Sequence, residues 1–190
     1  MAERIVIIAG SPGAGKSTII KELAKRSNCS IANIGTLMLE HAKARGYATD
    51  RDKLRFLKST VISDLRKEAL LTINAMPGKV LLDTHASIGE NGRYLPGLPI
   101  DTLRGLKNVS GLVYIDAVTE DIIERRRKDP HRKRENEDDY MVNEQRIINM
   151  SMLSIASSHL NIPLFVVLNR QGHLEECIVE IEKRFSELVG

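Results

Sequence analysis

The sequence predicts an α/β fold, a parallel sheet with helices packed on its faces. Short, nearly continuous apolar runs alternate along the chain with helical patterns, the order that such a sheet requires. The runs lack a polar face, as strands covered on both sides do. Connections are short, and neither an internal repeat nor a low-complexity linker intervenes. With 190 residues the chain has room for one sizeable core, so a single domain is expected.

Four runs read as buried strands: Arg4 to Ile8, Lys79 to Asp83, Gly111 to Asp116 and Leu164 to Leu168. A weaker fifth covers Ser30 to Ile34. Helical patterns cover Lys16 to Ser27, Thr36 to Arg45, about 50–74, Pro99 to Leu106, Glu120 to Lys128, about 138–160, and Leu174 to Leu188. Two places break the rhythm: the Gly- and Pro-containing loop from His85 to Pro99, and the charge-dense run from Arg125 to Asp139. Unusual loops in a compact α/β domain are frequently where substrates are held.

Composition excludes several classes. Hydrophobic residues make up 42% of the chain and charged residues 28%, the balance of a soluble globular protein rather than a disordered or membrane one. The apolar start, Ile5 to Ala9, is too short for a membrane span and lacks the layout of a secretory signal, so the cytoplasm is expected. Cys29 and Cys177 stand far apart with no metal-ligand spacing and are expected to be buried small hydrophobes. A net charge of +3 says little by itself about nucleic acid.

The first strand runs into Gly10-Ser11-Pro12-Gly13-Ala14-Gly15-Lys16-Ser17, which runs into a helix. That context fits a loop that binds the phosphates of a nucleoside triphosphate. Glycines let backbone N–H groups wrap around the phosphates, and the positive end of the following helix adds attraction. Lys16 would meet the β- and γ-phosphates, and the Ser17 hydroxyl a Mg²⁺ ion bridging them. Asp83, at the carboxyl end of a buried strand, is a candidate to hold the same ion through water.

Such loops serve switches, motors and kinases alike. A guanine-reading switch would carry Asn-Lys-x-Asp where this chain has Asn169-Arg170-Gln171-Gly172. A motor-type or AAA-type ATPase would place Glu after the strand-end Asp, but Thr84 follows Asp83. Efficient hydrolysis has no obvious base here, and transfer to a bound small acceptor fits better.

In the segment from Arg125 to Arg134, seven of ten residues are Lys or Arg. Arginines brought in by a closing loop stabilise charge on a migrating phosphoryl group while excluding water. Asp129-Pro130 interrupts the helix there. A solvated charge run or a nucleic-acid patch are the competing readings, and the acidic run 135–139 argues against nucleic acid. Arg125 and Arg126 point in different directions on a helix, so one of the two is expected to reach the phosphates. Arg146, on the helix that follows, is a further candidate.

Taken together, these residues resemble the archaeal-type adenylate kinases, which belong to the P-loop nucleoside monophosphate kinases. The matching features are the loop through Thr18; Asn33-Ile34-Gly35-Thr36 with Met38; Asp50-Arg51-Asp52-Lys53-Leu54-Arg55; Asp83-Thr84-His85; Tyr94-Leu95-Pro96-Gly97-Leu98-Pro99; Arg125-Arg126 with Arg132 and Arg134; and Asn169-Arg170 with Gly172. They span nearly the whole chain in the right order. Asp-Thr-His separates this branch from the bacterial-type enzymes, which carry Asp-Gly-Phe-Pro-Arg at that strand end. The bacterial acceptor-binding arginine therefore has no direct counterpart after Asp83.

The resemblance implies reversible phosphoryl transfer from MgATP to AMP, giving two ADP, with Mg²⁺ as cofactor. It implies a P-loop NTPase three-layer α/β/α sandwich on a five-stranded parallel sheet, with an AMP-binding segment at about 33–57 and a short lid at about 128–139. ATP would lie on Gly10 to Thr18, bordered by Asn169 and Arg170. AMP would meet Gly35, Thr36, Arg51, Arg55 and His85, with Thr36 alternatively capping its helix. Lys16, Arg126, Arg132 and Arg134 would carry catalysis, and an ionised phosphate acceptor needs no general base. The resemblance also implies a homotrimer. Two other functions stay open: a kinase for another nucleoside monophosphate, and a nucleotide-dependent RNA-binding or ribosome-maturation protein using 125–134 as its patch.

Overall fold

A computed structural model describes residues 1–54, 56–90, 92–128 and 138–190. The chain begins β1 (Ala2–Gly10), α1 (Lys16–Ser27), β2 (Ser30–Asn33), α2 (Ile34–Ala44), α3 (Arg51–Leu54), α4 (Ser59–Ala75) and β3 (Gly78–Asp83). It continues through β4 (Ser87–Glu90), β5 (Arg93–Pro96), α5 (Ile100–Gly105), β6 (Val109–Asp116), α6 (Thr119–Arg127), α7 (Asp139–Leu160), β7 (Leu164–Leu168) and α8 (Leu174–Val189). Five strands form one sheet in the order β2-β3-β1-β6-β7, with every neighbouring pair parallel. This is the five-stranded parallel sheet that the sequence predicts.

Alternation along the strands builds the three layers, because successive side chains in a strand point to opposite faces. Ile5, Ile7 and Ala9 of β1 pack with Leu65 and Ile73 of α4, Leu103 of α5 and Leu153 of α7. Val6 and Ile8 pack on the other face with Ile19 and Leu23 of α1, Ile122 of α6, and Ile181 and Phe185 of α8. Ile5 to Ala9 are completely buried, which is why β1 reads as an unbroken apolar run. Cys177 sits in the second core, where burial pushes its thiol up to about 11. Cys29 is only half-buried, although burial raises its thiol too.

Three boundaries differ from the sequence expectation. The helix expected over about 50–74 is two helices. Asp50 Oδ1 accepts from the Lys53 N–H at 3.0 Å to start the single turn of α3, and tight turns close it, Phe56 N to Lys53 O at 3.2 Å and Leu57 N to Leu54 O at 3.3 Å. Helix α2 starts at Ile34 rather than Thr36, because Asn33 is its cap. The expected loop from His85 to Pro99 contains an antiparallel hairpin, β4 and β5, pairing Ser87 with Pro96 and Glu90 with Arg93. The Asn91-Gly92 pair between the two short runs is the sequence signal for it.

The hairpin docks on α7. Tyr94 Oη donates to Glu144 Oε2 at 2.7 Å, and Ser87 Oγ donates to Asn149 Oδ1 at 2.6 Å. Burial, reinforced by the Glu144 carboxylate, pushes the Tyr94 hydroxyl up to about 12, so it remains a donor at any ordinary pH. Among the described residues no helix is long and apolar enough to cross a membrane.

Because Phe185 is 2% exposed and central to the second core, Phe185→Ala should cost about 3–5 kcal/mol of stability, read from urea denaturation.

Candidate active site

Parallel strands bring their carboxyl ends to one edge, where an open α/β sheet places its ligand crevice. At that edge Ile8 pairs with Asp83, and Asp83 with Asn33. Beyond Gly10 the chain turns through the glycine-rich loop into α1. Gly13 and Gly15 take φ values of 89° and 85°, the left-handed region that only glycine enters without strain. Gly15 is the N-terminal cap of α1, and its carbonyl accepts from the N–H groups of Thr18 and Ile19, each at 3.2 Å.

The loop is braced from below. Asn169, 4% exposed at the end of β7, donates Nδ2 to Ala14 O at 2.8 Å. A Cβ on Gly15 would stand 2.4 Å from that Nδ2. Ser11 is tied into a buried network: its hydroxyl lies 2.7 Å from Tyr114 Oη and accepts from Asn149 Nδ2 at 3.2 Å. Asn149 in turn reaches Ser87 in the hairpin. Sequence reading missed Asn149 and Tyr114, since a polar residue inside a long helix and a tyrosine in a strand carry no local sign of such a partner.

Around the loop lies a cleft of about 400 Å³, lined by Lys16, Arg51, Arg125 and Arg126, by Asp83, and by His85. Among the described lining residues four basic side chains accompany one carboxylate, a distribution suited to a polyanion. Ser17 and Thr18 add hydroxyls. Lys16 is nearly buried, and its ammonium pairs with Asp83 Oδ1. Asn33 Nδ2 donates to Asp83 Oδ2 at 3.1 Å, while Asn33 Oδ1 accepts from Arg51 Nη2 at 2.7 Å.

Both arginines at the end of α6 bond carbonyls of the loop. Arg126 Nε donates to Pro12 O at 2.8 Å. Arg125 takes the other flank, donating Nη1 to Gly13 O at 3.4 Å and Nη2 to Asn169 O at 3.2 Å. The side chains diverge as the helix dictates, but each is long enough to close on one side of the loop. Arg146 stands apart from this group. It clamps Asp116, Nε to Oδ1 at 3.0 Å and Nη2 to Oδ2 at 2.8 Å, and donates Nη1 to Thr119 Oγ1 at 3.1 Å. Its guanidinium is held charged above the usual range by that carboxylate and ties α7 to the end of β6.

Of the remaining expected residues, Gly35 lies against Arg51: a Cβ there would stand 2.6 Å from Arg51 Nη2. Thr36 is the third residue of α2 rather than its cap, and donates both its N–H, at 3.0 Å, and its hydroxyl, at 3.2 Å, to Asn33 Oδ1. Neither residue is among those lining the cleft, nor are Ala14, Asn169 and Arg170. Arg55, Arg132 and Arg134 lie outside the described residues, as does most of the segment expected to be a lid. The nucleic-acid patch considered for 125–134 loses two of its described members, since Arg125 and Arg126 are turned onto the loop.

A parallel sheet, a phosphate-type loop and a cation-lined cleft at the strand ends define a P-loop nucleotide-binding protein. A family model described as an AAA domain matches residues 9–143. The chain is 34% identical to an adenylate kinase of Thermoplasma acidophilum, covering 93% of this chain and 96% of that one. It is 36% identical to the adenylate kinase of Thermoplasma volcanium over 92% and 96%, and 32% identical to that of Pyrococcus abyssi over 93% and 92%. By these matches the chain belongs to the AAA-domain family and, within its P-loop class, to the adenylate kinase family. Absence of a Glu after Asp83 bears on hydrolysis and leaves this membership untouched. Among solved structures the fold is similar to shikimate kinase from Bacteroides thetaiotaomicron, with a TM-score of 0.60 at 14% identity over 96% and 98% of the two chains. A shikimate kinase from Acinetobacter baumannii gives 0.59 at 13% identity over 97% and 93%.

Gly15→Ala should strain the left-handed backbone and push Asn169 off the Ala14 carbonyl. The expected stability loss is about 1–3 kcal/mol by denaturant titration, with weakened ATP binding by calorimetry.

Proposed function

We propose that this chain catalyses the reversible transfer of the terminal phosphoryl group of ATP to AMP, giving two ADP. The observation that carries the reading is one cleft with basic side chains on both sides of Asp83, three at the loop and one beyond it. Lys16, Arg125 and Arg126 gather at the glycine-rich loop, while Arg51 is held over the end of β2 at the far side of the sheet. A triphosphate on the loop and a monophosphate at Arg51 would face one another across Asp83.

On this reading the loop N–H groups and the start of α1 bind the β- and γ-phosphates, and Lys16 exchanges Asp83 for the γ-phosphate. Arg125 and Arg126 cover the loop from either flank and neutralise charge that builds on the migrating group. The acceptor is an ionised phosphate, so orientation and charge neutralisation suffice and no proton need be removed. Segment 33–57 forms the acceptor side, with Gly35 giving Arg51 room to approach, His85 lining the same cleft, and Arg55 and Thr36 as further candidates. The reading also takes about 128–139 as a lid that would supply Arg132 and Arg134, which lie outside the described residues. Arg170 would border the adenine.

The residues present fit Mg²⁺. The Ser17 hydroxyl and the Asp83 carboxylate are hard oxygen donors in one cleft, and this ion commonly takes few protein ligands beside substrate phosphates. When bound, it would neutralise phosphate charge. The same reading takes the protein as a cytoplasmic homotrimer. Exposed Tyr140, Ile147 and Ile155 on α7 support an assembly. Light scattering should then report three times the chain mass.

A coupled assay with ATP and Mg²⁺ should form ADP from AMP. Lys16→Ala should lower kcat at least about a hundredfold, and Arg51→Gln should raise KM for AMP about tenfold with KM for ATP unchanged. Activity with another monophosphate and none with AMP would replace the adenylate assignment.

A further inference from the structure

The Asn33 carboxamide joins the two sides of the cleft, bonding Asp83 with one end and Arg51 with the other. Its position follows from register: Asn33 ends β2 directly beside Asp83 at the end of β3. Nδ2 donates to the Asp83 main-chain carbonyl and to Asp83 Oδ2, each at 3.1 Å. Oδ1 accepts from the Thr36 N–H at 3.0 Å, the Thr36 hydroxyl at 3.2 Å and Arg51 Nη2 at 2.7 Å. Only one orientation of the amide satisfies this set, since a flipped group would set its NH₂ against an N–H and a guanidinium and its oxygen against a carboxylate.

We infer that Asn33 is a positioning residue for both substrates, fixing Arg51 for the acceptor phosphate and Asp83, with its partner Lys16, for the donor phosphates. The acceptor half of this rests on the proposed role of Arg51. A guanidinium carries five donors in a planar fork, so Arg51 can keep one N–H on Asn33 and turn the others to a phosphate. Held in this way, it loses less side-chain freedom on binding than a free arginine would. On the donor side, the two Asp83 oxygens have separate tasks: Oδ2 takes the Asn33 N–H and Oδ1 faces the Lys16 ammonium. Without the amide the carboxylate is free to turn about its own axis, and Lys16 loses its fixed starting point. Asn33 also caps α2, so cap and positioning roles must be separated.

Asn33→Ser makes the separation, because serine caps a helix as well as asparagine does but is too short to reach both Arg51 and Asp83. Its melting temperature should stay close to wild type while KM for AMP and KM for ATP each rise about fivefold. In an Arg51→Gln background the serine substitution should leave KM for AMP within about twofold, since Asn33 acts on the acceptor through Arg51. ATP binding is measured separately by calorimetry in EDTA without AMP, where Asn33→Ser should weaken it about fivefold with or without Arg51. Asn33→Asp keeps the cap and an acceptor for Arg51 but sets a carboxylate against Asp83, and should weaken metal-free ATP binding about tenfold.

Unchanged KM values in Asn33→Ser, or an AMP effect fully additive with that of Arg51→Gln, would overturn the acceptor half. Unchanged ATP binding in both Asn33 variants would overturn the donor half. Arg51→Gln with unaltered KM for AMP would instead remove the proposed acceptor role of Arg51, and the EDTA binding constants would still decide the donor half.

Discussion

Lys16 carries a positive charge that is nearly buried at the head of α1, the positive end of that helix. Both burial and the helix dipole disfavour an ammonium there. The Asp83 carboxylate offsets that cost, and much of the surrounding geometry follows from the pairing. For Asp83 to reach Lys16, β3 must lie beside β1 and end level with it, which the pairing of Ile8 with Asp83 achieves. For the carboxylate to keep its orientation, β2 must end beside it, which places Asn33. On the proposed reading a phosphate on the loop would offer Lys16 a second anion, so nucleotide binding would replace one counter-charge with another rather than bury a bare charge.

The same economy governs the glycine-rich loop. Its carbonyls at Pro12, Gly13 and Ala14 are satisfied from outside by Arg126, Arg125 and Asn169 respectively, so the corresponding side of the loop carries donors rather than orphaned acceptors. Helix α7 holds the remaining side. Glu144, Arg146 and Asn149 fall within less than two turns and fasten the hairpin, the end of β6 and Ser11. Loop, hairpin and strand end therefore share one support, and displacing α7 would disturb all three.

Much of this was legible in the sequence because it depends on local chemistry. Ile5 to Ala9 announces a covered strand, and glycines before Lys16 announce a phosphate loop wherever strand and helix flank them. The sheet and its five strands followed from such patterns. Less legible were features set by partners distant in sequence. Nothing at Asn149 signals Ser11, which lies 138 residues earlier. Arg146 reads as a further candidate for the phosphates until Asp116 stands opposite it. Arg125 and Arg126 could be given directions but not reach, because reach depends on where α6 ends. The hairpin was hidden for another reason: strands of four residues carry too little alternation to read, although Asn91-Gly92 marked the turn.

Shared architecture with shikimate kinases at 14% and 13% identity separates what the fold supplies from what it leaves open. A parallel sheet whose central strand feeds a glycine-rich loop and a helix makes a phosphate-binding edge by geometry alone, for any sequence that closes the loop. The opposite side of the cleft is not dictated in that way. In this chain it is assembled from the end of β2 and the short helices after it, where a glycine at position 35 lets Arg51 approach and Asn33 fixes its place. Small changes in that segment would alter what faces the loop while leaving the sheet intact. On the proposed reading the acceptor is thus decided by a few side chains at one edge, and the substrate preference of this chain would be encoded there.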